Sequence, residues 1–179
     1  MDEIRWNVLL GQLGIVTTQL AQVAPAVYPL SAPGMGANDE TLAGAERRLG
    51  HPLDPQYRQL LGYGDGWPAA FLDGDMLGTR DLGHGPLWDR GVTALDLFYE
   101  SGPVDELPDR AQLYPIFVAP YQQDVMALRL DGPLTNGGHE VLWFANELVD
   151  RWPNVHEWWL GCTEIARQTL AYVVRQQQQ

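Results

Sequence analysis

The chain contains no lysine. That absence removes the P-loop lysine that meets nucleotide phosphates, and it excludes Schiff-base and pyridoxal chemistry on a protein lysine. Serine is nearly as scarce. Ser31 lies in a proline-rich stretch and Ser101 in an acidic one, and neither stands in the Gly-x-Ser-x-Gly elbow of a serine hydrolase. The single cysteine, Cys162, cannot form an internal disulfide, which points to a reducing compartment. It falls at helical spacing with Trp158, Trp159 and Ile165, the place of a small buried apolar residue rather than a nucleophile. His51, His84, His139 and His156 make no His-Glu-x-x-His pattern, and one cysteine cannot supply a paired-cysteine zinc spacing.

Long apolar runs are missing as well. The segment 8–23 is interrupted by Gly11, Gln12, Gly14, Thr17, Thr18, Gln19 and Gln22, so it falls short of the ~20 mostly apolar residues of a membrane span. The chain opens with Met1-Asp2-Glu3 rather than basic residues. No secretory signal is therefore expected, and the cytoplasm is the simplest location. Positive charge is in short supply too: 11 Arg stand against 23 Asp and Glu, a net charge of −12. Such a surface repels phosphate backbones and anionic membranes. It disfavours nucleic acid and membrane as partners, and it suits either a basic protein partner or solubility alone.

What is present fits one folded core. The length is 179 residues, and 45% of them are apolar, values ordinary for a globular chain. Seven Trp and seven Tyr give large aromatic anchors much of the burial. The richest stretch runs from Asn38 to Trp67. Asn38 or Asp39 suits the N-cap of a helix whose Leu42, Ala45 and Leu49 share one face, with Glu46 beside them. Gly50 suits its left-handed C-terminal residue. Asp54 caps a second helix with Pro55 at its first position; Tyr57, Leu60 and Leu61 form the buried face, and Gly64-Asp65-Gly66 ends it.

Glu46, Leu49, Gly50, Leu53, Tyr57, Leu61, Asp65 and Gly66 give this α-hairpin an order that resembles the opening of the SUKH superfamily. That group includes many bacterial immunity proteins and a domain of fungal cell-wall-synthesis regulators. The chain departs from the family pattern in having its proline one place late, at Pro55, and Asp65-Gly66-Trp67 in place of the usual Asn-Gly-Gly exit. The resemblance extends from about residue 38 to about 175 through the order of later elements. It implies an α+β fold: a mostly antiparallel twisted sheet, an N-terminal α-hairpin and a long C-terminal helix packed on the sheet. It also implies a protein that neutralises a toxin or, as in the fungal relatives, a scaffold or regulatory module.

The remaining elements are read from local patterns. Trp6, Leu9, Leu10, Leu13, Thr17, Leu20 and Val23 share a helical face within 2–23. Pro25, Pro29, Pro33, Gly34 and Gly36 then make a linker. This predicts residues 1–37 as an N-terminal helix and linker, 38–175 as the α+β domain and 176–179 as a polar tail. The helix covers the core of its own domain or serves as a dimer surface, so monomer and homodimer both stand open. Short strands are expected at 69–72 and 76–82 around an Asp73-Gly74-Asp75 turn, and a loop at 83–91. The segment 92–100 is undecided, and 101–108 reads as an acidic loop. A three-strand run is expected at 114–119, 124–130 and 140–145, with turns at Asp131-Gly132 and Asn136-Gly137-Gly138. A helix begins near Asn154, with Val155, Trp158, Trp159, Cys162, Ile165, Ala166, Leu170 and Val173 as its stripe.

Asp73, Asp75 and Asp81 form the densest carboxylate cluster. Asp-Gly-Asp followed by Gly78 begins like a calcium loop, but Leu77 holds a ligand position and His84 stands where a bidentate Glu is needed. A solvated hairpin turn is the simpler reading, the alternative being a metal-dependent enzyme built on these three carboxylates, and no metal or other cofactor is expected. A catalytic residue is not expected either. If the chain binds a toxin with a basic catalytic domain, the contact carboxylates are expected among Asp65, Asp73, Asp75, Asp81, Glu100, Asp105, Glu106 and Asp109. Trp67 is then an aromatic anchor, with core packing as the simpler reading.

Overall fold

The computed structural model describes residues 4–120 and 124–178. The opening Met1-Asp2-Glu3 lies outside them, as does Gln179 of the polar tail. Helix α1 (Trp6–Val23) is followed by α2 (Asp39–Leu49) and α3 (Pro55–Tyr63), then β1 (Trp67–Phe71), β2 (Gly74–Met76) and α4 (Pro86–Phe98). A 3-10 turn at Arg110–Gln112 leads into β3 (Leu113–Val118), β4 (Val125–Arg129), β5 (Val141–Phe144), β6 (Leu148–Trp152) and α5 (Val155–Gln177). The six strands form one antiparallel meander in the order β1-β2-β3-β4-β5-β6. The class is α+β, as expected.

The α-hairpin forms where local chemistry dictates. The Asn38 side chain accepts from Thr41 N at 2.9 Å, and Gly50 takes φ 78° at the end of α2. Asp54 accepts from Gln56 N and Tyr57 N, with Pro55 opening α3. Glu46 closes the turn between the two helices by accepting from Leu53 N at 3.2 Å. The last helix starts on Asn154, whose side chain accepts from Glu157 N.

Helices cover both faces of the sheet. Val125 and Met126 are successive residues of β4 and point to opposite faces. Val125 pairs with Phe144, whose ring lies 4.7 Å from Phe98 of α4. Met126 Sδ accepts from the Trp158 indole of α5. Val125, Met126, Ala127 and Leu128 are consequently all buried, so β4 shows no polar face. Helix α1 packs with α5 on the second face: Trp159 Nε1 donates to Leu9 O, and the Trp67 ring rests against Gly14. Trp6, Leu10, Leu13, Val16 and Leu20 thus belong to the same core as the sheet.

Several local expectations are corrected. Residues 86–91 are helical, not loop: Pro86 fits the first turn of α4, and Gly91 is a packing residue. A Cβ on Gly91 would stand 2.5 Å from Pro115 Cβ, so only glycine lets α4 lie this close to β3. The undecided segment 92–100 continues that helix to Phe98. Leu77 N still donates to Ile116 O of β3, but residues 78–82 leave the sheet, where the Asp81 and Asp65 carboxylates accept the amides of Gly78 and Thr79. The sequence reading also missed β6, an edge strand with three exposed residues in its middle. Finally, the first hairpin turns at Leu72-Asp73, with φ of 42° and 66°, while Gly74 lies in β2.

Candidate functional site

An antiparallel meander sends its odd-numbered turns to one end of the sheet. Here that end collects the turn at Leu72-Asp73, Pro120 and Asp124 beside the ends of β3 and β4, and the β5–β6 turn at 145–147. The linker adds Val27 and Tyr28. Between them lies an open cleft of about 520 Å³. Tyr28, Phe117 and Trp143 give it aromatic walls; Val27, Leu72 and Val149 form exposed apolar lips; Asp73 and Asp124 supply two carboxylates.

Each wall has a local cause. Gly74 sits directly against the Phe117 ring, where a Cβ would meet Cζ at 2.2 Å, so glycine at this strand position seats the ring. The ring of Phe71 lies 5.9 Å from Phe117 and 6.2 Å from Trp143, and it backs both. Trp143 also stacks on Trp152, with planes 14° apart. Its Nε1–H donates to Asp124 Oδ1 at 3.0 Å and fixes that carboxylate at the wall. Leu72 occupies the left-handed region, which costs an L-residue roughly 1–2 kcal/mol and places its side chain on the lip.

A second cleft of about 460 Å³ flanks the other side of the β5–β6 turn. Leu148 faces it while its neighbour Val149 faces the first cleft, the alternation of a strand. Leu97 and Phe98 from α4, with Val104 and Leu107 from the acidic loop, complete its lining, and Glu147 stands on its edge.

The end of the sheet that holds these clefts is short of cations. The close ion pairs lie elsewhere: Arg58 with Asp39 and Glu46, Arg80 with Asp81, Arg110 with Asp96, Arg129 with Asp131 and Glu140, Arg151 with Glu140, Arg167 with Glu164. Among the described residues no Arg pairs with Asp73, Glu100, Asp105, Glu106, Asp124 or Glu147. Arg90 of α4 comes near, reaching Pro120 O at 3.4 Å.

The residues singled out from the sequence divide three ways. Asp73 lines the first cleft; Glu100, Asp105 and Glu106 are exposed on the loop beside the second. Asp65, Asp75, Asp81 and Asp109 hold the backbone. Asp65 accepts from Thr79 N and Oγ1, and Asp75 from Ala69 N at the irregular register of β1 and β2. Asp81 accepts from Gly78 N, and Asp109 caps the 3-10 turn. Trp67 is corrected: at 1% exposure, with its ring 6.2 Å from Trp159 and its Nε1–H bonded to Ser31 Oγ, it is a core residue and offers a partner nothing to touch. The sequence reading missed Tyr28, Asp124, Trp143, Glu147 and Val149. Their only advance signal was the rule that odd turns of a meander converge, and β6 had to be known to apply it.

Asp73 and Asp81 stand at opposite ends of the β1–β2 hairpin, so the three-carboxylate cluster of the sequence does not converge. Among the described residues no three His, Cys, Asp or Glu side chains gather as metal ligands. No described helix is long and apolar enough to cross a membrane. The Cys162 thiol is buried against α5's own surroundings, and burial raises its pKa well above the usual value. Neither a protein-family model nor a curated protein matches the chain.

Proposed function

We propose that this chain is an immunity-type binding protein that captures and neutralises a toxin whose catalytic domain is basic, acting without catalysis of its own. The observation that carries the reading is the gathering, beside two apolar clefts at one end of the sheet, of carboxylates that no Arg pairs among the described residues. Apolar lips supply the buried centre of an interface, and a charged rim steers a partner of opposite sign and speeds its association. A stable complex would bury roughly 1,600 Å² in total, about 800 Å² on each partner. The SUKH resemblance of the α-hairpin supports the same role, and a cytoplasmic location agrees with it. A neighbouring reading frame that ends in a small basic catalytic domain would supply the cognate partner.

The test is binding of that catalytic domain to the wild-type chain and to a Glu100→Arg, Asp105→Arg, Glu106→Arg variant. The expected result is a loss of affinity of tenfold or more with an unchanged circular dichroism spectrum. Wild-type affinity in the variant would take the acidic loop out of the interface, and absence of binding by the wild-type chain would overturn the reading.

A scaffold reading is favoured by one observation. Val8 and Ile15 remain exposed on α1, Ile15 at 63%, and could seat a second copy. A chain shortened to residue 38 is a poor test, because it would strip Trp6, Leu10 and Leu13 from the core. Light scattering on Ile15→Glu answers the question: a dimer that becomes a monomer supports the scaffold, and a monomer in both cases rejects it.

A further inference from the structure

We infer that the cleft between Tyr28, Phe117 and Trp143 receives an arginine side chain of the partner protein. The inference rests on the proposed function and names the contact that function would use. The cleft's volume of about 520 Å³ lies in the range of sites that enclose a ligand-sized group, roughly 300–1,000 Å³. Its walls are aromatic and its charges are both negative, so what it complements is flat and cationic. A guanidinium meets both demands: it stacks on aromatic faces and donates paired hydrogen bonds to a carboxylate. A lysine ammonium is a compact, strongly hydrated point charge and gains less from flat walls.

The acceptors stand ready. Trp143 holds Asp124 through Oδ1, and Oδ2 has no hydrogen-bond partner among the described residues. The Asp73 side chain likewise has no hydrogen-bond or ion-pair partner among them. Among the described residues no Arg lines the cleft; Arg90 of α4 reaches the carbonyl of Pro120, at the cleft's edge, at 3.4 Å. The exposed lips Val27, Leu72 and Val149 supply apolar cover for the methylene stem.

The test is a nuclear magnetic resonance titration of the full chain with acetyl-Gly-Arg-Gly-amide and with its lysine counterpart. It follows the Trp143 indole N–H signal, assigned through Trp143→Phe. A saturable shift is expected with the arginine peptide, at several-fold lower concentration than with lysine. Asp73→Asn with Asp124→Asn should weaken it tenfold or more. Asn keeps an acceptor for Trp143 and tolerates the positive φ at position 73, so the double variant folds; its unchanged amide spectrum verifies this. No shift, or a shift that survives the double variant, overturns the inference. The two readings also fail separately. A basic catalytic domain bound equally well by the double variant removes the arginine site and leaves the proposed function standing. A peptide that shifts Trp143 when no such domain binds leaves the arginine site and removes the proposed function.

Discussion

Trp143 donates its indole N–H to the Asp124 carboxylate at 3.0 Å, and so ties β5 to the first residue before β4 at the mouth of the larger cleft. Asp124 directly precedes β4, whose register with β5 is set by Val125 opposite Phe144 and Met126 opposite Trp143. The consequence is a carboxylate whose direction is fixed before any partner arrives. A side chain that is already ordered loses less entropy on binding.

Gly74→Ala should move the aromatic wall. Its Cβ would lie 2.2 Å from Phe117 Cζ, so the ring must swing into the cleft. Overpacking of this kind costs about 1–3 kcal/mol, readable by urea unfolding. Phe117→Leu in the same chain should recover most of that loss, since the two positions share one contact. Equal losses in the single and double variants would remove the contact as the cause.

Leu72→Asn should stabilise the fold and weaken binding together. Leu72 takes φ 42° in a two-residue turn, a geometry that favours Asn and strains leucine. Relief of that strain is worth about 1 kcal/mol, seen as a raised unfolding midpoint. The same change removes an apolar lip, so affinity for the basic partner should fall. A variant that gains stability and keeps full affinity would show that the lip contributes nothing.

Asp54→Ala should be among the costliest polar substitutions. One buried carboxylate accepts from Gln56 N, Tyr57 N, His139 N and the His139 ring at 2.7–3.0 Å. It therefore caps α3 and pins the β4–β5 loop. The lost cap and the stranded amide of His139 together cost about 3 kcal/mol, measurable by chemical denaturation. Asp54→Asn retains an acceptor for the cap and should cost clearly less.

Tyr57 and Tyr114 are both buried and should respond oppositely to removal of the hydroxyl. Tyr57 donates to Leu77 O at 2.6 Å, so Tyr57→Phe should cost about 1 kcal/mol. Among the described residues the Tyr114 hydroxyl has no partner in hydrogen-bond geometry, so Tyr114→Phe should be neutral or stabilising. Burial raises both phenol pKa values above the usual 10.0; the Tyr114 phenol adds to the shift of Tyr57, and the Asp54 charge to that of Tyr114, where the Asp54 backbone amide pulls the other way. The sign follows directly. Below pH 10 both states hold these protons; above it the unfolded chain releases protons that the folded chain keeps, so stability falls as pH rises. Tyr114→Phe should flatten that alkaline decline in unfolding free energy, and an unchanged slope would exclude Tyr114 from it.

The α-hairpin and α5 were legible because their causes are local. Asn38, Gly50, Asp54, Pro55 and Asn154 act on amides within a few positions of themselves, and a helix repeats every few residues. The strands at 113–118, 125–129 and 141–144 were legible as short apolar runs between turn residues. Gly91 misled for a physical reason. A glycine that permits close packing is written the same way as one that breaks a helix, and Pro115, its reason for being there, lies 24 positions further on.

By itself, then, the sequence determined the acidity, the absence of any lysine, the capped ends of α2 and α3, the start of α5 and the mixture of helices and strands, because charge, capping and periodicity act over single residues or turns. Tertiary structure alone decided that Trp67 is core, that α4 covers the face of the sheet opposite α1 and α5, and that Asp65, Asp75 and Asp81 hold backbone amides. It also decided the cleft. Tyr28, Asp73, Asp124, Trp143 and Val149 are strangers along the chain, and they meet only because a meander returns alternate turns to one end of its sheet.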